Sequence, residues 1–266
     1  MSYSTTETAL GSISSERVGD GPDLVVLHSL LTDRRAFDPV VPELGRFRTV
    51  HLVDLPGFGR STPVEGGIDA FADAIGAFLE AGGFDPSTTA LLGNGLGSFI
   101  ALGVAVRHGD RFGRLCLVGC GLAFPDEARA TFGAMAARVE EGGMEAIVDV
   151  ALRRIFPEAY LESHPEQTEE RKRVLLDTDP SAFVTACRAL QTVDYRPQAP
   201  AVSIPTLVVV GSEDGATPPE MAEEVRDGIP GAELLVLEGV GHAPQLQDPE
   251  TFVTAVSEFL ATEEDE

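Results

Sequence analysis

"LLGNGLGSFIAL", residues 91–102, runs from a short apolar stretch into Gly93-Asn94-Gly95-Leu96-Gly97 and on into a helical pattern. A strand that turns sharply into a helix through closely spaced glycines can mount a nucleophile at its apex, with the pattern Gly-x-Ser-x-Gly. Here the apex is Gly95, which has no side chain. Such a turn forces dihedral angles that cost a residue with a Cβ roughly 1–3 kcal/mol, and glycine escapes that cost. The turn is therefore expected to form around Gly95, with a void where a hydroxyl would stand. Ser98 lies about one helical turn further along and is expected to face helix packing, not the apex.

Outward from this turn, apolar runs alternate with helical patterns. "DLVVLH" (23–28), "TVHLVDL" (49–55), "TALLG" (89–93), "RLCLVGC" (114–120), "TLVVVG" (206–211) and "ELLVLEG" (233–239) read as strands buried on both faces of a parallel sheet. Residues 33–45, 67–81, 95–108, 217–228 and 249–261 read as helices between or beyond them. That order predicts an α/β fold with a doubly wound, mostly parallel sheet. Between about 122 and 199 strand signals are absent. Four helical segments, beginning "PDEARATF", "GMEAIVDV", "EQTEERKR" and "PSAFVTAC", fill the gap. The expected organisation is a core of residues 1–121 and 200–266 with a helical cap inserted at 122–199.

Composition narrows the function classes. The formal charge is −24 and Lys172 is the sole lysine, so the surface repels nucleic acid and anionic membranes. No apolar run approaches the roughly 18 residues needed to span a bilayer. The polar start "MSYSTTETALGSISSERVGDG" lacks a basic and an apolar region in succession, so no signal peptide is expected. Cys116, Cys120 and Cys187 are odd in number and have no metal-ligand spacing, which points to core thiols in a reducing interior and a cytoplasmic location. The expected partner is a small-molecule substrate, with no cofactor or metal. Sequence does not decide the oligomeric state.

Two further positions carry chemistry. Asp214, in "VVVGSEDGATPPE", and His242, in "LEGVGHAPQLQDPE", each follow a strand end, where ligands gather in open α/β sheets. A carboxylate can fix the tautomer of an imidazole and stabilise its charged form, while the imidazole takes a proton near neutral pH. Glu213 is a rival for the acid. Asp126 is expected at a helix N-terminus. His51 reads as a strand residue of the core, His108 as a helix-end residue and His164 as a solvent-facing one.

The chain resembles α/β-hydrolase fold proteins, and within them the 3-oxoadipate enol-lactonase group. The resemblance is carried by the turn at 91–102 and by "DLPGFGRS" (54–61), "VEEGGMEAIVD" (139–149), "DTDPSAFVTACRAL" (177–190), "GSEDGATPPEMAEEV" (211–225) and "GHAPQLQDPETF" (241–252). It covers nearly the whole chain, with the helical gap corresponding to that family's cap. It implies His242 as general base, Asp214 as its orienting acid, Gly95 as a vacant nucleophile position, and Leu30 and Leu96 as backbone donors of an oxyanion hole. In "LHSLLTDRR" Ser29 stands where that family usually has glycine, and His28 reads as a brace of the loop. Arg138, Arg153, Arg154 and Arg188 are candidates for a substrate carboxylate, as a dicarboxylic lactone would require. Three readings stay open: an ester or lactone hydrolase that lost its serine, an enzyme using His242 directly as a base on water or in a non-hydrolytic step, and a ligand-binding protein.

Overall fold

The computed structural model describes residues 2–261. Eight strands form one sheet: β1 (Ser2–Thr8), β2 (Gly11–Val18), β3 (Asp23–Leu27), β4 (Thr49–Val53), β5 (Ala90–Asn94), β6 (Arg114–Val118), β7 (Thr206–Gly211) and β8 (Glu233–Leu237). Their spatial order is β1-β2-β4-β3-β5-β6-β7-β8. From β4 to β8 every neighbouring pair is parallel, while β1–β2 and β2–β4 are antiparallel. The doubly wound, mostly parallel sheet follows the sequence reading, and so do six of its strands.

The helices are α1 (Val41–Leu44), α2 (Ile68–Gly82), α3 (Leu96–His108), α4 (Asp126–Gly142), α5 (Val148–Ile155), α6 (Glu158–Ser163), α7 (Pro165–Leu176), α8 (Pro180–Thr192), α9 (Pro219–Gly228), α10 (Pro244–Gln247) and α11 (Pro249–Leu260). Side chains alternate across each inner strand, which gives the sheet two cores. Val25, Leu27, Leu115, Leu117, Val208 and Val210 face α2, α3 and α9. Leu24, Val26, Cys116, Val118, Leu207 and Val209 face α1 and α11. All three cysteines are buried and unpaired with one another, and burial pushes each thiol up to about 12.

Three expectations need correction. The N-terminal hairpin β1–β2 has no counterpart in the sequence reading, because "SYSTTET" is polar, and its residues 3–8 are partly or fully exposed at a sheet edge. The helix expected over 33–45 is a 3-10 turn, Arg34–Phe37, followed by the short α1. Pro39 and Pro42 remove the backbone donors that a continuous helix needs there. The run 233–239 forms β8 at the other edge of the sheet, where Leu235 and Val236 are exposed instead of buried on both faces.

Helices α4 to α8 occupy the chain between β6 and β7, and no sheet strand falls there among the described residues. A bridge between Ala123 and Asp194, and a hydrogen bond from Tyr195 N to Leu122 O, tie the two ends of this stretch together. Its packing on the core is aromatic. Phe124 stacks on Phe99 of α3 at 4.7 Å and meets Phe132 of α4 edge-on at 4.8 Å. Asp179 caps α8 by accepting from Ser181 N and Ala182 N, fixing where that helix begins. No described helix is long and apolar enough to cross a membrane.

Candidate active site

The turn between β5 and α3 sets the floor of the site. Gly95 adopts φ 55° and ψ −118°, a left-handed conformation open to glycine and strained for other residues. The next glycine has a different reason. A Cβ at Gly97 would run into the carbonyls of Leu27 and His28, so its absence lets α3 press against the end of β3. Ser98 donates to the carbonyl of Gly95 at 2.6 Å and lies buried under the turn, out of reach of the imidazole as the spacing predicted.

Asp214 and His242 come from the loops after β7 and β8. His242 Nδ1–H donates to Asp214 Oδ2 at 2.8 Å, and both side chains are almost wholly buried. Asp214 also accepts from Ala216 N, Thr217 N and Thr217 Oγ1 at 2.8, 2.9 and 2.8 Å. Burial alone would raise this carboxyl. The charge of His242 and the bonds from His242 and Thr217 outweigh it and hold Asp214 below the ordinary carboxylate value. Glu213 is exposed on the other side of the loop, its amide bonded to Val240 O. Thr217 touches His242 Nδ1 at 3.2 Å, and Asn94 donates to His242 O at 2.9 Å while accepting from Gln245 Nε2. Thr217, Asn94 and Gln245 escaped the sequence reading, although Asp-Gly-Ala-Thr is a recognisable turn in which an aspartate binds amides two and three residues on.

The space above Gly95 departs from expectation. It is not a void. Ser29 Oγ reaches across from the loop after β3 and donates to His242 Nε2 at 3.3 Å. A Cβ built on Gly95 would come within 2.6 Å of His242 Nε2 and closer still to Ser29 Oγ. Ser29 is therefore more than a stiffer substitute for glycine; its hydroxyl fills the position opposite the turn. His28 braces this loop in the neutral form, Nδ1–H donating to Ser29 O at 2.9 Å and Nε2 accepting from Leu55 N at 3.3 Å. Its complete burial keeps its pKa below the usual histidine value. The Leu30 and Leu96 amides, on either side of the gap, donate no hydrogen bond among the described residues.

Ser29, Leu30, Gly95, Leu96 and His242 line a small, half-open pocket of about 30 Å³, walled on its other side by Phe132, Met135, Arg154 and Leu190 from α4, α5 and α8. The four candidate arginines separate clearly. Arg153 pairs with Glu158, Arg188 with Glu140, and Arg138 is exposed. Arg154 lines the cavity, lies 5.6 Å over the Phe132 ring and makes no hydrogen bond or ion pair among the described residues. Desolvation lowers its pKa, the mark of a cation held in an apolar wall.

The remaining histidines stand apart from the site. His51, on the inner strand β4, is half-buried, hydrogen-bonded to Asp23 at 2.7 Å and packed beside Phe84, so it makes a polar contact and is not a core residue. His108 ends α3 against Asp73. His164, expected in solvent, stacks on Tyr160 at 4.0 Å. Asp126 opens α4, exposed. No group of residues able to hold a metal ion is found among the described residues.

The sequence profile of the alpha/beta hydrolase family matches residues 24–255. The chain belongs to that family. A pimeloyl-[acyl-carrier protein] methyl ester esterase of Aeromonas hydrophila is 30% identical over 260 residues, covering 94% of this chain and 99% of that protein. Among solved structures, a thermophilic esterase from Thermogutta terrifontis is 27% identical with a TM-score of 0.88, covering 98% of each chain. The enol-lactonase from Burkholderia xenovorans LB400 has a TM-score of 0.89 at 24% identity, covering 97% of this chain and 99% of its own. At that identity the enol-lactonase shares the fold with this α/β hydrolase, and the esterase relatives support ester hydrolysis as the general class.

Proposed function

We propose that this α/β hydrolase cleaves a carboxylic ester or enol-lactone, with His242 as general base, Asp214 as its orienting carboxylate and the Leu30 and Leu96 amides as the oxyanion hole. The observation that carries the reading is the complete Asp214–His242 pair, whose Nε2 opens on a cavity flanked by two unbonded amides. Such donors stabilise the charge that develops when a carbonyl becomes tetrahedral, and losing one costs on the order of 10²–10³ in turnover. Residues 122–199 act as the cap, since their helices wall the cavity opposite the sheet. Arg154 gives the cavity a positive end, which suits an ester whose far end carries a carboxylate. The substrate is a small molecule.

Two variants test this. Gly95→Ser alone forces a Cβ into Ser29 Oγ and His242 Nε2. Combined with Ser29→Gly, it rebuilds the arrangement in which the turn carries the hydroxyl and the facing loop carries none. The double variant is expected to hydrolyse small aryl esters and enol-lactones, and to lose that activity by several orders of magnitude when His242 becomes alanine. A folded double variant and an unmodified chain both inert towards both substrate classes would sink the reading.

A further inference from the structure

We propose that Ser29 is the nucleophile of this protein, its hydroxyl having taken up from the opposite wall the role that Gly95 cannot perform. This rests on the hydrolase reading above and names the atom that makes the covalent bond. Ser29 Oγ has one partner among the described residues, His242 Nε2 at 3.3 Å. The other ring nitrogen is committed to Asp214 at 2.8 Å, so the nitrogen facing Ser29 is the one free to receive a proton. The rest of Ser29 is held rather than strained. Its amide donates to Thr32 Oγ1 at 3.1 Å, and its carbonyl accepts from His28 Nδ1 at 2.9 Å and Thr32 N at 3.3 Å. Ser29, Leu30 and Leu96 line the same cavity, so the hydroxyl and both unbonded amides share one space.

A loop residue that only braced the fold would not need to present a buried hydroxyl to a buried imidazole. The step balances with the groups present. Ser29 Oγ attacks the ester carbonyl carbon while His242 Nε2 takes its proton, and the Leu30 and Leu96 amides hold the resulting oxyanion. The carbon–oxygen bond to the leaving group breaks, and that oxygen receives the proton from His242. A water molecule, deprotonated by His242, then attacks the acyl–Ser29 ester. Ser29 Oγ leaves and recovers its proton, giving one acid and one alcohol for each water consumed. The second serine near the turn is excluded by its own bond, since Ser98 Oγ is committed to the carbonyl of Gly95.

The experiment treats the unmodified full chain with an alkyl fluorophosphonate, an electrophile that captures activated serines without needing the natural ester, and maps the adduct by peptide mass spectrometry. One adduct on Ser29 is expected, formed at least about 100-fold more slowly in His242→Ala. Aryl-ester turnover by Ser29→Ala should fall by about 1,000-fold or more against the unmodified protein. An adduct on another serine, or none on Ser29, overturns the proposal. So does Ser29→Ala hydrolysing within tenfold of the unmodified protein, which would make water the direct nucleophile and leave the hydrolase reading intact. Because the adduct is mapped on the unmodified chain, a poorly folding variant does not blunt the result. Failure of the unmodified chain to turn over either aryl esters or enol-lactones strikes the hydrolase reading instead, so the two failures differ.

Discussion

The two halves of the site are built to different standards. On the β7–β8 side, Asp214 accepts four hydrogen bonds, and His242 is held by Asp214 through its ring and by Asn94 through its carbonyl. On the β3–β5 side, the hydroxyl that meets His242 has one contact at 3.3 Å, and the turn beneath it is bare glycine. The acid–base half is fixed by a network in which each group depends on several others, whereas a hydroxyl needs only to reach Nε2. Under the proposed mechanism, the nucleophilic hydroxyl has fewer constraints on which wall carries it than the Asp214–His242 pair has on its own place.

The largest expected effect comes from breaking the well-held half. Asp214→Asn should leave the fold in place and lower ester turnover by about 10⁴, because the amide cannot hold the imidazole in the tautomer that accepts a proton. The same variant has a second signature. Asp214 titrates below its ordinary value of 3.8 in the folded chain, so the fold binds its proton less tightly than the unfolded chain does. Its stabilisation is present above that ordinary value and fades as pH falls through the lower folded one. Thermal melting from about pH 6 down to pH 3 should show a shallower acid decline in Asp214→Asn; parallel curves would mean that the pair adds nothing to the fold.

Next in size is the side of the cavity formed by α4, α5 and α8. Arg154→Met keeps the apolar stem over Phe132 and removes the charge. KM for an ester bearing a distal carboxylate should rise about 10- to 100-fold, in line with a hydrogen bond to a charged group, while KM for a neutral ester stays within about twofold. Equal changes for both esters would assign Arg154 to packing.

The smallest effect sharpens the comparison directly. Gly95→Ala should cost roughly 1–3 kcal/mol of stability from the left-handed turn, with an added cost from the crowding against Ser29 Oγ. In a Ser29→Gly background the crowding against Ser29 Oγ should disappear, while the dihedral part and the contact with His242 Nε2 remain. Chemical denaturation of the four proteins of this cycle separates the two, and full additivity would mean that Ser29 does not occupy the space above Gly95.

The sequence foretold the framework better than the gap. Six strands were legible because each is a short unbroken apolar run, the mark of a strand with neighbours and helices on both sides. β1 and β2 were not, since an edge hairpin with polar side chains looks like a loop. Asp214 and His242 could be read because each closely follows such a strand. Ser29 was noticed only as a departure in its own loop. Its partner lies 213 positions away, and no local pattern says that two loops so distant in the chain meet at hydrogen-bond distance. Arg154 was one of four cap arginines until packing showed which of them turns inwards.

The edge formed by β8 has a colloidal consequence. Leu235 and Val236 are exposed on a strand with backbone groups open to a further strand, the arrangement by which sheets join edge to edge. At neutral pH the formal charge of −24 keeps two such edges apart by repulsion between whole molecules. Acid weakens that repulsion by protonating carboxylates, and concentrated salt screens it, so edge-to-edge association through β8 is expected to rise under either condition.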